Sequence, residues 1–529
     1  MFLFDVRDGE PSRCICRNKS YICANMMDKL WHKYLIFGLF CVAIYFPLFL
    51  HLDWQPINNW DESLFAMRAA YMTEEGHYLR DYGHWVEGGM LHRSTKPPFT
   101  TWLQVLSFKI FGINELALRL PIALSALGIV LLFLWFSRRA LGNIHIGYCA
   151  GFVLVTSVGF VREHASRTGD QDVALALYMM AGAMAFYYYL GATENRQRLG
   201  WLAFLTASSI AAVMTKYAFG LLFFPAFLIY AIYKKQLWAM LKRGSTWLAM
   251  LVVVAALGSW LVYIEGQLPG FVERAFFHEM ADRYTTTFRG HDHPFTHYFD
   301  RFWKRYFMPW LLLLPGPVYL FFVKQPSRLR DFSLLMFLCA AIQLLLVSFS
   351  STKTDHYDVV AYPPMAFLAG IGLYQVGAAI VHFWKKKSHR PALFIAAFLV
   401  CLFLIIRPYD TIINRVYKPK MNDRTMAYGY LLRKIQKTRP NCKEFTIFSP
   451  VYTGQVNYYA GLLNRKHGYN IKLSEHPKLV EVGDTVLACE SKMIDTLLAH
   501  YELQPIETEG KCFLAVAKEK KNGGLKMEN

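Results

Sequence analysis

Apolar residues recur in long runs from residue 34 to residue 407, each broken by a short polar connector or by a longer, unusually functionalised loop. The runs lie near 34–52, 116–137, 145–161, 172–190, 200–215, 218–233, 246–264, 306–323, 331–350, 359–383 and 391–407. A helix needs roughly 20 such residues to cross a hydrocarbon core, so the pattern predicts a mainly α, polytopic bundle of about 11–13 spans, the shorter runs being open to merging, splitting or tilting. Basic residues set the orientation. Arg138-Arg139, Arg196 with Arg198, Lys234-Lys235 with Lys242-Arg243, Lys324 with Arg328 and Arg330, and Lys385-Lys386-Lys387 with Arg390 all fall in alternate connectors. That side is expected to be cytoplasmic. The loops at 53–115, 162–171, 265–305 and 351–358, and everything after residue 408, are then external.

From residue 420 the pattern changes. Short strand-like runs appear at Phe445–Phe448, Thr485–Ala488 and Cys512–Val516, with a helical stretch near Lys492–Tyr501 between the last two. This predicts a small external α/β domain, which gives three segments: a polar leader at 1–33, a membrane-embedded catalytic region at 34–408, and a C-terminal domain at 409–529. The leader has no apolar core of the kind a cleavable signal peptide carries, and Met26 or Met27 offers an alternative start.

Composition agrees with the pattern. The 529 residues are 54% hydrophobic and 18% charged, a balance expected of a membrane protein. The net charge of +19 does not point to nucleic acid, because the basic residues sit in connectors where they orient the bundle. Of ten cysteines none forms a CxxC pair. Cys41, Cys149, Cys339 and Cys401 lie in apolar runs and read as small core residues. Cys442, Cys489 and Cys512 share the C-terminal domain, where one pair is free to form a disulfide if that domain lies outside the cytoplasm.

The chemistry concentrates in the external loops. Loop one carries Asp61, Glu62, Lys96, Pro97, Pro98, Glu115 and Arg119, and about sixty residues exceed what a connector needs. Segments Leu64–Met72 and Phe99–Ile110 have amphipathic spacing and are expected to lie along the membrane surface. Loop two carries Arg162, Glu163, His164, Arg167, Asp170 and Asp172; loop three carries Arg283, Arg289 and His291-Asp292-His293; loop four carries Lys353, Asp355, His356 and Tyr357. Plain structural readings exist for each. Acids suit a helix start, Lys-Pro-Pro marks one, Asp172 suits a cap, Lys216 at an outer helix end suits snorkelling, and a His-x-His loop rarely holds a metal. Collectively they place acids, cations and a tyrosine at one water–lipid boundary. Acids there can deprotonate a hydroxyl, and cations can hold a departing phosphate. A lipid-linked phosphate entering sideways from the bilayer is the substrate this suits.

The same residues resemble a known family. Asp61-Glu62, Lys96-Pro97, Phe111-Gly112-Ile113-Asn114-Glu115 with Arg119 and Pro121, Asp172 with Ala181-Gly182, Met214-Thr215-Lys216, Pro294-Phe295 with Tyr298, and Lys353 with Tyr357 are similar, in order and spacing, to motifs of the GT-C glycosyltransferases of the protein O-mannosyltransferase and lipid A aminoarabinose transferase type. The resemblance spans 34–383. It implies an inverting transfer of a sugar from polyprenyl phosphate to an acceptor at the outer face of a bacterial inner membrane, the acceptor being an envelope glycolipid such as lipid A or a secreted protein. It implies Asp61 as catalytic acid/base with Glu62 in support, Lys96, Lys353 and Tyr357 on the donor phosphate, and Asp172 orienting the site. Arg119, Lys216, Arg289 and His356 become secondary candidates. A divalent metal ion is the one cofactor it suggests, but where the aminoarabinose transferases have a metal-site glutamate before Lys-Pro this chain has Thr95. Glu87, His92, His278 and Glu279 are substitutes by proximity in the sequence. Loop four also departs, with Thr354-Asp355-His356 adding charge near the phosphate position. The competing reading is a transporter or flippase of a lipid-linked substrate, which requires polar groups at mid-bilayer; here the midspans are nearly bare.

Overall fold

The computed structural model describes residues 19–79, 82–84, 86, 91–162, 164–277, 285–287, 291–322, 327–385, 391–421, 423, 425–449, 453–477 and 480–521. The main helices are α1 (Lys19–Leu48), α2 (Asp61–Glu75), α3 (Phe99–Phe111), α4 (Glu115–Arg139), α5 (Ile144–Thr156), α6 (Asp172–Gly191), α7 (Asn195–Lys216), α8 (Phe224–Tyr233), α9 (Gly244–Gln267), α10 (Arg328–Phe349), α11 (Tyr362–Lys385) and α12 (Pro391–Ile412). In the C-terminal region α13 (Ala427–Thr438), α14 (Gly454–His467) and α15 (Ser491–His500) follow. Every apolar run of the sequence carries helix. Among the described residues six helices are long and apolar enough to cross a membrane, and four shorter apolar ones accompany them, at Tyr34–Leu48, Ile144–Thr156, Phe224–Tyr233 and Trp310–Tyr319.

The chain is an integral membrane protein of mainly α fold, and its surface follows from that. Leu248, Leu251, Val254 and Val262 of α9 stand exposed, as side chains facing lipid do. Inside the bundle, Phe136 stacks on Phe332 with ring centroids 3.9 Å apart, and Phe133 meets Phe367 edge-on at 5.2 Å. Small residues bring backbones together, as they do between helices in lipid. A Cβ on Gly370 of α11 would lie 2.5 Å from the Ala150 backbone of α5.

The two ends of the bundle differ. At one end Lys234 pairs with Asp331 at 2.8 Å and Arg243 reaches the Tyr189 hydroxyl at 3.4 Å. This is the end rich in arginine and lysine. At the other end lie the long loops and the C-terminal region.

That region holds a mixed five-stranded sheet of β3 (Glu444–Phe448), β4 (Asn470–Ser474), β5 (Thr485–Ala488), β6 (Tyr501–Glu509) and β7 (Cys512–Lys520), after a small β1 (Tyr82–His84) and β2 (Leu91–Arg93) hairpin in loop one. Strand order is β4-β3-β5-β7-β6, with β3 parallel to β4 and β5 and the other two pairings antiparallel. The three strands expected from sequence are present; β4 and β6 are additions. Cys489 and Cys512 continue the β5–β7 register one step beyond Ala488↔Phe513 and form a disulfide, with Cα atoms 4.1 Å apart.

Helix α2 is enclosed by protein on its apolar face. Its residues Phe65, Ala66, Met67, Ala69, Ala70 and Met72 are all buried, because α2 is held between α3 on one side and α14 on the other.

Candidate active site

The acidic pair is split by the start of α2. Asn58 accepts the Trp60 N–H at 3.2 Å, and the Asn58 N–H donates to Glu62 Oε2 at 2.8 Å, so a tight turn sets the helix entry. The C-terminal domain fixes the same turn from outside. Ile57 N–H donates to the Tyr459 hydroxyl at 3.0 Å, Asn59 N–H to the Thr425 carbonyl at 2.9 Å, and Gln455 N–H to Asn59 Oδ1 at 3.1 Å. Asp61 is left half-exposed. Glu62 turns inward and is fully buried.

Glu62 is taken up by a buried ion pair. Arg119 Nε donates to its Oε1 at 2.6 Å and Arg119 Nη2 to its Oε2 at 3.0 Å, while the Gly169 N–H reaches Oε1 at 2.9 Å. Arg119 spends its remaining donors on the carbonyls of Leu52, Gln55 and Pro56 at 2.8–2.9 Å. Bidentate pairing with every lone pair engaged is the geometry in which a buried ion pair holds. It ties loops one and two to α4.

Asp61 opens into a cavity of about 1220 Å³ that His51, Arg162, His164, Thr354, Asp355 and His356 also line. His356 Nε2 lies 3.9 Å from Asp61 Oδ2, and the His164 and His356 rings are 5.4 Å apart. His164 holds a left-handed backbone at φ 58°, a strained state for a residue with a Cβ. Its Nδ1 sits 3.3 Å from buried Asp170, which also accepts from the Thr168 hydroxyl at 2.5 Å. Burial pushes the Asp170 carboxyl above its usual range, against the pull of His164.

Loop four is held by two arginines stacked on one ring. Arg162 and Arg301 lie 4.4 and 4.6 Å from the Tyr306 centroid. Arg162 donates to Asp358 at 3.1 Å, and Arg301 pairs with Asp355 at 2.6 Å. Burial opposes the charge on Asp355, but Arg301 and Arg162 outweigh it and hold its carboxyl below the ordinary range. This brace orients His356, which follows Asp355 in the chain. Arg301, Tyr306 and Asp358 were not foreseen; an isolated Arg or Asp beside an apolar run is the only signal they leave in the sequence.

A second polar group lies beneath. Lys216 pairs with Asp172 at 2.5 Å, with both side chains buried, and sits 5.0 Å over the Tyr357 ring. Asp172, the first residue of α6, makes no side-chain cap. Its carboxylate is the counter-ion of Lys216. Lys353, buried, gives one of its three ammonium donors to the Ser350 carbonyl at 2.7 Å. Lys96 is half-buried in the turn before α3, where Arg68 clamps the Lys96 and Pro97 carbonyls at 3.0 and 3.1 Å. The neighbouring Thr95 carbonyl accepts from the Tyr217 hydroxyl, next in the chain to Lys216. Lys96, Lys216 and Tyr357 thus belong to one neighbourhood.

For a metal, Thr95 offers no carboxylate at the position before Lys96-Pro97 where the resemblance implies one. Glu87, His278, Glu279 and Arg289 lie outside the described residues, as does the side chain of His92. Two three-residue groups among the described residues bring ligand atoms within 4.8 Å of one another: Asp61, His164 and His356, and His293, His297 and Asp355.

Comparison with known proteins agrees with this architecture. The family model described as dolichyl-phosphate-mannose-protein mannosyltransferase matches residues 95–263. An undecaprenyl phosphate-alpha-4-amino-4-deoxy-L-arabinose arabinosyl transferase of Pseudomonas fluorescens is 24% identical over 350 residues, 66% of this chain and 60% of that protein. One from Proteus mirabilis is 27% identical over 364 residues, 67% of this chain and 61% of its own length. The chain thus spans about 60% of the length of these relatives. Among solved structures, ArnT from Cupriavidus metallidurans bound to undecaprenyl phosphate superposes with a TM-score of 0.63 at 14% identity, covering 91% of this chain and 97% of that one. The Archaeoglobus fulgidus oligosaccharyltransferase follows with a TM-score of 0.54 at 11% identity, covering 94% and 75%. The fold is of the GT-C type, and the chain resembles the aminoarabinose transferase branch in sequence and in architecture.

Proposed function

We propose that this protein is an integral-membrane glycosyltransferase that moves a sugar from a polyprenyl-phosphate donor to an acceptor hydroxyl at the outer face of the inner membrane. One observation carries the reading: a half-exposed carboxylate, Asp61, opens into a roomy cavity at the loop end of the bundle, beside a loop that also bears buried Lys353 and Tyr357. In this reading Asp61 accepts the acceptor's proton. The acceptor oxygen bonds to the anomeric carbon from the face opposite the phosphate, and that carbon's bond to the phosphate oxygen breaks with its electron pair leaving on the phosphate. Lys96 and the two remaining donors of Lys353 neutralise that charge. Glu62, Arg119, Asp172 and Lys216 position these groups without touching the reacting atoms. Holding the partners in line supplies the larger share of the rate.

The external placement of the site is supported by the basic residues gathered at the opposite end and by the Cys489–Cys512 disulfide, a bond that persists in oxidising compartments. The acceptor is an envelope glycolipid such as lipid A or a secreted protein. Mass spectrometry of envelope lipids and glycoproteins with and without the gene tests the reading: a sugar mark that disappears supports it and names the acceptor. An unchanged lipid and glycoprotein profile, together with no transfer by purified protein from polyprenyl-phosphate sugars, sinks it.

A further inference from the structure

We infer that the connector between α8 and α9 is a docking site for an anionic phospholipid, a phosphodiester such as phosphatidylglycerol, at the basic end of the bundle. The inference goes beyond the glycosyl transfer proposed above and uses none of its residues. Charge is the first observation. From Asn195 to Ile264 the chain holds no aspartate or glutamate, while Arg196, Arg198, Lys234, Lys235, Lys242 and Arg243 all flank helices at this end. Lys234, Arg198 and Arg243 are already engaged: Lys234 with Asp331 at 2.8 Å, Arg198 with the Ala192 and Thr193 carbonyls at 2.9 and 3.3 Å, and Arg243 with the Tyr189 hydroxyl at 3.4 Å. Lys235 and Lys242 are exposed and make no ion pair among the described residues.

The second observation is the shape of the connector. Leu237–Leu241 forms a short helix that buries Met240 and packs Leu237 and Leu241 against the core, which leaves Trp238 outward at 75% exposure. Lys242 lies four residues beyond Trp238 and so on the same side. Trp247, also exposed, donates its indole N–H to the Leu241 carbonyl at 2.8 Å, which ties a second outward indole to the same short helix. Lys235 enters the connector at φ 56°, a left-handed backbone that glycine adopts freely and lysine does not. Indoles settle at the level of lipid headgroups, and unpaired lysines there attract anionic ones. Free phosphate would satisfy the lysines and leave the indoles in water; a zwitterionic lipid would do the opposite. An anionic lipid satisfies both. The third observation is the packing of α9. Among the described helices long enough to span, it is the least covered, with 11% of its apolar stretch buried against 44–78% for the others. Its buried residues are Thr246 at the basic end and Trp260 and Ile264 at the other. A headgroup bound where α9 begins adds a hold that its protein neighbours do not supply.

The test is native mass spectrometry of the full chain released from detergent micelles, with phosphatidylglycerol or phosphatidylcholine titrated in. Wild type is expected to retain phosphatidylglycerol and to release phosphatidylcholine, and added inorganic phosphate is expected not to displace the lipid. Lys235→Gln with Lys242→Gln weakens retention about 25-fold, at about fivefold for each lysine near a membrane surface. Arg138→Gln with Arg139→Gln makes the same change in charge at another connector and is expected to leave retention nearly unchanged. Trp238→Ala, with both lysines intact, is expected to weaken it too. The substituted lysines, arginines and tryptophan are exposed, and a melting curve for each variant confirms that it is folded. Equal retention of the two lipids, displacement by inorganic phosphate, equal loss from the two double variants, or full retention by either connector variant overturns the site. Sugar transfer measured on the same samples separates the two claims. Retained phosphatidylglycerol without transfer from any polyprenyl-phosphate sugar leaves the lipid site standing and removes the enzyme; transfer by a protein indifferent to lipid charge does the reverse.

Discussion

At the residue scale, two adjacent carboxylates differ completely in circumstance. Asp61 faces a cavity and is available to a hydroxyl; Glu62 is buried with Arg119 and two backbone N–H donors. Different failures follow from their loss. On the proposed mechanism, Asp61→Asn keeps the size and removes the base, so turnover is expected to fall by a factor of about 10² or more, the usual scale for a general base, with thermal stability unchanged. A transfer assay beside a melting curve checks both halves. Glu62→Gln breaks a buried pair on one side, which costs about 3–5 kcal/mol and is read as a lowered melting temperature and poor yield before any kinetic effect. On the proposed mechanism, Lys353→Ala loses a phosphate contact worth on the order of 1.5–3 kcal/mol, read as weakened use of the lipid-phosphate donor.

At the element scale, α2 is the piece that connects the two halves of the molecule. The C-terminal domain grips it through Arg465–Glu75 at 2.9 Å, Lys466–Glu74 at 2.6 Å, and the hydrogen bonds to the 57–59 turn. Tyr459 adds a bond to Glu115 at 2.7 Å, at the start of α4. The contact is close. A Cβ on Gly454 would come 2.3 Å from Ser63 Oγ, and one on Gly429 would come 2.5 Å from Pro56 Cβ. Gly454→Ala thus forces the domain away from the helix that presents Asp61. Displacements near 1 Å cost about 10²-fold in rate, so turnover is expected to drop well beyond any loss of stability. A fall in kcat no larger than the stability change accounts for would show that the domain is a passive cap.

At the scale of the whole molecule, the bundle is polarised. Arginines and lysines gather at one end, while the cavity, its acids and the disulfide-linked domain occupy the other. Reporters check this directly. One that works only outside the cytoplasm, fused after residue 521, is expected to be active, and one that fluoresces only inside is expected to be dark. The reverse result would place Asp61 and the basic connectors in the wrong compartments. The Cys489–Cys512 bond closes a loop of sequence separation 23, and its removal by Cys489→Ser is expected to cost the domain about 2–5 kcal/mol. Non-reducing peptide mapping detects the bond itself.

Spanning helices were legible in the sequence because lipid forces each backbone polar group to bond within its own segment, and only long apolar runs can meet that demand. The long loops were legible as chemistry for a related reason: charge at the edge of the apolar bundle is costly unless it is used or paired. Local pattern also revealed the strands around Phe445, Val486 and Leu514. It could not say which charges pair and which stay available, because partners lie far apart in the chain. Glu62 with Arg119, Lys216 with Asp172, and Arg162 with Asp358 are separated by 57, 44 and 196 residues. Nor could it reveal that α2 is covered by the C-terminal domain, or that His164 and His356 meet beside Asp61. Those facts depend on how helices pack and loops fold over one another, and that packing is what leaves Asp61 half-exposed beside Glu62 and Asp172, which are already paired.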